Sequence, residues 1–155
     1  MLRNRLFAWH LELRNVHRRL EKALEEARDA LREGDRAAVL KPELLQFCYT
    51  FCSALGTHHR SEDAAFFPAL LKQNPALEPI ITALTREHEG LSRLLTDFQR
   101  ALDSADSTPQ ELFQQLNEIK GAMKAHFGFE EGALKRALRD LDAPESDKRR
   151  MFGDV

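Results

Sequence analysis

Four of the six histidines in this chain stand in a pattern that can hold metal. His58 is followed four residues later by Glu62, and His126 four residues later by Glu130. On a helix, side chains four apart share a face, so each pair offers an imidazole and a carboxylate to the same point. His17, in Val-His-Arg-Arg-Leu, and His88, in Glu-His-Glu-Gly-Leu, each lie on the segment preceding one of these pairs. A helix with one histidine followed by a helix with His-x-x-x-Glu therefore occurs twice, and a repeated half-site suits two metal ions. Imidazole with carboxylate and no thiolate suits iron, manganese or zinc. Structural zinc sites are four-coordinate and closed. Six ligands around two ions leave room for bridging oxygen and an exogenous ligand, which points to redox or oxygen chemistry.

These residues need long helices to carry them. In the first segment Leu6, Leu13, Leu20, Leu24, Ala27 and Leu31 recur at helical spacing, which predicts a helix from about Leu2 to Glu33, stopped by Gly34 and Asp35. The second starts at Pro42, in the first-turn position that proline tolerates, and should end or kink near Pro68. The third spans roughly Glu78 to Ser104. The fourth, Pro109 to about Leu141, opens on Thr108, Pro109 and Glu111 in the places of a capping box. Short connections predict an all-α, up-down-up-down antiparallel four-helix bundle over residues 1–142, with 143–155 as a tail or short appended helix.

Counting from the turns at one end of this bundle puts the four histidines at a common depth. His17 precedes Glu33 by 16 residues and His58 follows Glu43 by 15; His88 precedes Ser104 by 16 and His126 follows Pro109 by 17. At the helical rise per residue these offsets differ by only about 3 Å along the axis. A lone histidine or a single His-x-x-x-Glu pair is ordinarily a core residue or a surface pair worth a few tenths of a kcal/mol. Coincident depth and repetition are what ligation requires and packing does not. Burying four imidazoles and two carboxylates is costly unless a cation partners them.

Composition sets the bounds. Helix formers dominate, and the 155 residues suffice for one domain with its own apolar core, so no metal is needed merely for folding. The 25 acidic and 23 Lys or Arg side chains are interspersed, which gives no footprint for nucleic acid. Arg3, Arg5, Glu12 and Arg14 interrupt any signal-peptide core, and the run Ala64 to Leu71 is too short to span a bilayer. These features predict a cytoplasmic protein without a membrane partner. Cys48 and Cys52, one helical turn apart, are expected as reduced, packed thiols.

The motifs together resemble the hemerythrin-like (HHE) cation-binding family, over nearly the whole span from Leu2 to Leu141. The segments that carry the resemblance are Val16 to Leu20, His58-His59-Arg60-Ser61-Glu62-Asp63 with Phe66-Phe67-Pro68, Glu87-His88-Glu89-Gly90-Leu91, and His126-Phe127-Gly128-Phe129-Glu130-Glu131. The resemblance implies two iron ions under an oxo or hydroxo bridge, with His17, His58, His88 and His126 as terminal ligands and Glu62 and Glu130 bridging. Oxygen-carrying members of that family have a further histidine one turn before the third-helix ligand, where this chain has Leu84. Four histidines leave each iron an open position, which suits activation of oxygen, peroxide or nitric oxide better than reversible carriage.

Alternatives stay open at three positions. Glu131 competes with Glu130, because oxygen carriers place that carboxylate five residues after the histidine. His10 competes with His17 but lies seven residues, about 10 Å, along the axis from it; otherwise it lines a channel or packs beside Trp9. His59, offset by about 100° from His58, reads as a surface or outer group whose replacement should leave most metal bound. Gly121, Gly128 and Gly132 read as sites of close helix approach, or, for the last two, of small-molecule access. The functions that follow are a di-iron sensor or stress-response protein acting on oxygen, peroxide or nitric oxide, an oxidase or oxygenase of an organic substrate, iron storage or donation including iron-sulfur repair, or a metal-free bundle for protein contacts. The sequence names no redox partner.

Overall fold

The computed structural model describes residues 7–37 and 41–155, which are helical with no strand among them. The helices are α1 (Trp9–Ala37), α2 (Pro42–Ser61), α3 (Phe67–Gln73), α4 (Glu78–Asp103), α5 (Pro109–Arg139) and α6 (Lys148–Phe152). The expected beginning of the first helix near Leu2 lies outside the described residues. Its end differs from expectation, because α1 runs through Gly34, which is buried, to Ala37. A glycine costs a helix interior up to about 1 kcal/mol, which 29 residues of amphipathic packing readily absorb.

The break near Pro68 takes an unusual form. Between α2 and α3 the chain makes a π turn, Glu62–Phe66, in which the Phe67 N–H donates to the Glu62 carbonyl five residues back. Proline has no N–H to give, and its ring crowds the carbonyl four residues earlier; a widened turn just upstream relieves both problems while keeping the chain direction. Asn74 then caps the 3-10 turn Pro75–Leu77 through its side chain, 3.2 Å from the Ala76 N–H, and α4 follows. At the start of α5 the Thr108 hydroxyl accepts from the Glu111 N–H at 3.1 Å, as the capping sequence requires.

Each long helix has two neighbours: α1 packs on α2 and α5, and α4 packs on α5 and α2. The apolar faces that meet there include Leu13, Leu20, Leu24, Phe51, Leu55, Leu84, Phe98, Leu116 and Met123, all buried. Each such side chain contributes about 1.5–3 kcal/mol relative to exposure. Leu84, which stands one turn before His88, is fully buried among them. Cys48 and Cys52 are free and buried, and burial pushes both thiols up to about 12, as expected of packed, unreactive groups.

Residues beyond α5 do include a short appended helix, and it is seated on the bundle. Met151 and Phe152 of α6 are buried, and the Trp9 indole N–H donates to the Ala143 carbonyl at 3.0 Å. No helix among the described residues is long and apolar enough to cross a membrane.

Candidate metal centre

The buried polar side chains of the described residues form one set: His17, His58, His59, Glu62, His88, His126 and Glu130. Six of them are the residues expected from spacing. The seventh, His59, is only 5% exposed and lies inside the cluster. Of the surface or outer position expected for it, burial excludes the surface. A residue 100° from His58 faces inward because α2 stands between two neighbours, so adjacent residues straddle its inward direction: His58 lies 5.4 Å from His17 of α1, while His59 stacks at 3.9 Å on His88 of α4.

Ligand atoms gather at two points. His17, His58, Glu62 and Glu130 bring one atom each within 4.8 Å of one another, and so do His59, Glu62, His88 and His126. Glu62 belongs to both groups, with one oxygen 3.5 Å from His58 Nε2 and the other 3.1 Å from His88 Nε2. Glu130 Oε1 is 2.9 Å from His17 Nε2, and the Nε2 atoms of His88 and His126 are 3.1 Å apart. Two ligand atoms in adjacent positions about an ion at roughly 2.1 Å stand about 3 Å apart, so these spacings could accommodate a shared cation.

Hydrogen bonding supports the same reading. The Nε2 atoms of His17, His58 and His59 and all four carboxylate oxygens of Glu62 and Glu130 are buried without a hydrogen-bond partner, despite the short contacts. Orphaned buried polar atoms are expensive and rare, and here they converge. The outward nitrogens are satisfied instead: Nδ1 of His17 bonds Glu131 at 2.7 Å, that of His88 bonds Asp63 at 2.8 Å, that of His126 bonds Glu87 at 2.6 Å, and that of His58 bonds the Phe152 carbonyl at 2.7 Å. An acceptor on Nδ1 keeps the proton there and leaves the Nε2 lone pair facing inward, the arrangement ligating histidines need. Phe127 stacks on His17 at 3.7 Å and fixes that ring.

Burial and close neighbours shift the ionisation of the clustered groups. Burial pushes the Glu62 carboxyl well above its usual range, with neighbouring Glu130 adding to the effect. Burial also opposes ionisation of Glu130, but its contacts with His17 prevail and hold it down at about 2, while Glu130 and Glu131 raise His17 against its own burial. Burial lowers His58 to about 3 and lowers His59 and His126 too.

The remaining alternatives also find places. Glu131 lies outside the cluster as the partner of His17 Nδ1. His10 is in neither ligand group; with Gly128, Glu131 and Gly132 it lines a hollow of about 310 Å³ on the α1–α5 side. Close helix approach does not explain Gly121, Gly128 or Gly132, since a Cβ at any of them meets nothing within 4 Å. Sequence reasoning missed the outer acceptors Asp63 and Glu87, though each adjoins a residue of the cluster in the chain, as Glu131 adjoins Glu130. On the α2–α4 side an open groove of about 610 Å³ reaches the centre, lined by His59, Asp63, His88 and Glu89 together with Cys52 and Arg60.

An all-helical scaffold closing on two groups of inward imidazoles and carboxylates defines a helical metal-binding protein, with residues fit to hold two cations. The hemerythrin HHE cation-binding domain model matches residues 11–138, and the chain belongs to that family. Searches of curated proteins and of solved structures gave no match to the chain.

Proposed function

We propose that this chain is a non-haem di-iron protein that binds or reacts with oxygen, peroxide or nitric oxide, in a sensing or stress-response role. The observation that carries the reading is the convergence of unpartnered Nε2 and carboxylate atoms in a fully buried layer. The contacts among α1, α2, α4 and α5 favour an antiparallel up-down-up-down arrangement, which sets one helix at each corner of that layer.

Five imidazoles change the coordination expected from four. His17 and His58 with Glu62 and Glu130 would hold one ion; His59, His88 and His126 with the shared Glu62 would hold the other. Each set offers four ligand atoms, so an ion held by either would have room for an exogenous ligand. Iron bound there supplies reversible one-electron chemistry toward such a ligand, while the chain supplies orientation through Nδ1 acceptors and a water-poor surround. Reconstitution with ferrous iron without oxygen, followed by metal analysis and visible absorption on admitting oxygen, peroxide or nitric oxide, tests the reading. Two irons per chain with a spectral change on adding one of these ligands is the expected result. Fewer than about one iron per chain eliminates it.

The α2–α4 groove favours a second reading, oxidation of a small organic substrate, because His59 and His88 line both the groove and the centre. Turnover of a co-purifying metabolite that depends on iron selects this reading over the first.

A further inference from the structure

We propose that the segment 143–155 is a working part of the metal centre: the Phe152 backbone carbonyl positions His58, so the ion served by His17 and His58 is retained only while this segment is seated. The inference rests on the two-ion reading above. It starts from an inequality among the Nδ1 acceptors. Asp63, Glu87 and Glu131 serve His88, His126 and His17 from side chains carried by the bundle itself. His58 instead depends on one main-chain oxygen at 2.7 Å, delivered by residues 94 positions away in the chain.

That oxygen is available because α6 ends at Phe152, and the last carbonyls of a helix have no partner within it. A carbonyl only accepts, so it fixes the proton on His58 Nδ1 and leaves Nε2 bare toward the centre. Close approach is possible because the next residue is Gly153, at φ 84°. A Cβ there would stand 3.1 Å from Thr57 Cγ2, 3.2 Å from Ser61 Oγ and 3.3 Å from the Thr57 carbonyl, on the stretch of α2 that carries His58. Left-handed backbone and crowding both demand glycine at this point.

The seat is built from separate elements. Trp9 of α1 donates to Ala143, and the Phe152 ring meets Trp9 at 5.7 Å and Phe66 of the π turn at 4.8 Å. The same ring lies 5.9 Å from His58, which is fully buried. Unseating the segment thus removes the acceptor of His58 and exposes one ligand at once, while the acceptors of His88 and His126 stay in place on α4 and the π turn.

Two substitutions separate positioning from packing. Gly153→Val moves the Phe152 carbonyl; Phe152→Leu keeps that carbonyl and most of the apolar contact. In metal-free protein, long-range proton–nitrogen spectra are expected to show the Nδ1–H form of His58 in wild type and Phe152→Leu, and its loss in Gly153→Val. In iron-loaded protein, Gly153→Val is expected to release one of two ions to a chelator about 10- to 100-fold faster, the second ion at the wild-type rate, with Phe152→Leu retaining both even where its melting temperature falls. The proposal is overturned by an Nε2–H form of His58 in metal-free wild type, by equal acceleration of both ions, by unchanged release, or by Phe152→Leu matching Gly153→Val. Metal uptake by wild type reports separately on the two-ion reading, and the tautomer measurement needs no metal.

Discussion

The His59 ring lies almost flat on that of His88, with centroids 3.9 Å apart and planes 14° from parallel. Neighbouring residues on one helix thus serve different halves of the centre. His58 belongs with His17 and Glu130, and His59 with His88 and His126. The two stacked rings also form the wall between the centre and the α2–α4 groove.

If His59 is a ligand, His59→Ala loses one ion preferentially. Removing an imidazole from a set of three is expected to weaken that ion at least about tenfold, beyond the range of an outer partner at its lower end. Iron stoichiometry after gel filtration in dilute chelator measures it. Two irons held as tightly as in wild type return His59 to an outer role and restore a four-histidine centre.

Glu130 and Glu131 have different expected effects. Glu130→Gln removes an oxygen 2.9 Å from His17 Nε2 and is expected to abolish binding of the ion held by His17 and His58. Glu131→Gln replaces an outward acceptor that is one-third exposed, so it should retain full stoichiometry with affinity reduced about 10- to 100-fold. Competition titration against a calibrated chelator separates the two cases, and identical profiles contradict the assignment.

Acid should destabilise the metal-free protein. Burial holds His58 at about 3, and His59 and His126 also below the ordinary 6.5, so unfolding takes up protons at these three sites as pH falls below 6.5. Stability from these groups therefore rises with pH up to about 6.5. Glu62 and His17 act in the opposite sense: burial and Glu130 raise the Glu62 carboxyl, and Glu130 and Glu131 raise His17 against its burial, so each binds a proton in the folded state that the unfolded chain has lost. Three groups outweigh two, and the urea midpoint of chelator-treated protein should be lower at pH 5 than at pH 7. An equal or higher midpoint at pH 5 contradicts the burial of neutral histidines. Metal uptake should release the Glu62 proton and weaken as pH falls.

Gly121→Ala should stabilise the fold. Its Cβ meets open space, and alanine favours a helix interior over glycine by up to about 1 kcal/mol. Thermal melting is the measurement, and a lowered midpoint would reveal a close contact not present in the structure. Gly128→Ala and Gly132→Ala carry the same expectation for stability. Because both residues line the His10 hollow, slower nitric oxide binding in these variants alone would mark it as an entry route.

Much of this was legible in residue order. Helical spacing of Leu13, Leu20, Leu24 and Leu31, the Thr108 cap and the paired His58–Glu62 and His126–Glu130 motifs are local, and local geometry follows from helical periodicity wherever the helix sits. Counting residues from the turns also put His17, His58, His88 and His126 at one level, because the rise per residue is fixed.

Direction across the bundle is another matter. Whether His59 faced solvent or the centre depended on where α1 and α4 pack around α2, a relation between helices that no single helix encodes. Likewise nothing adjacent to His58 named its acceptor, since the Phe152 carbonyl arrives from the far end of the described chain. The sequence by itself determined which helices carry the histidines and glutamates of the cluster and at what depth; only tertiary packing decided how many imidazoles meet there and what holds each one in place.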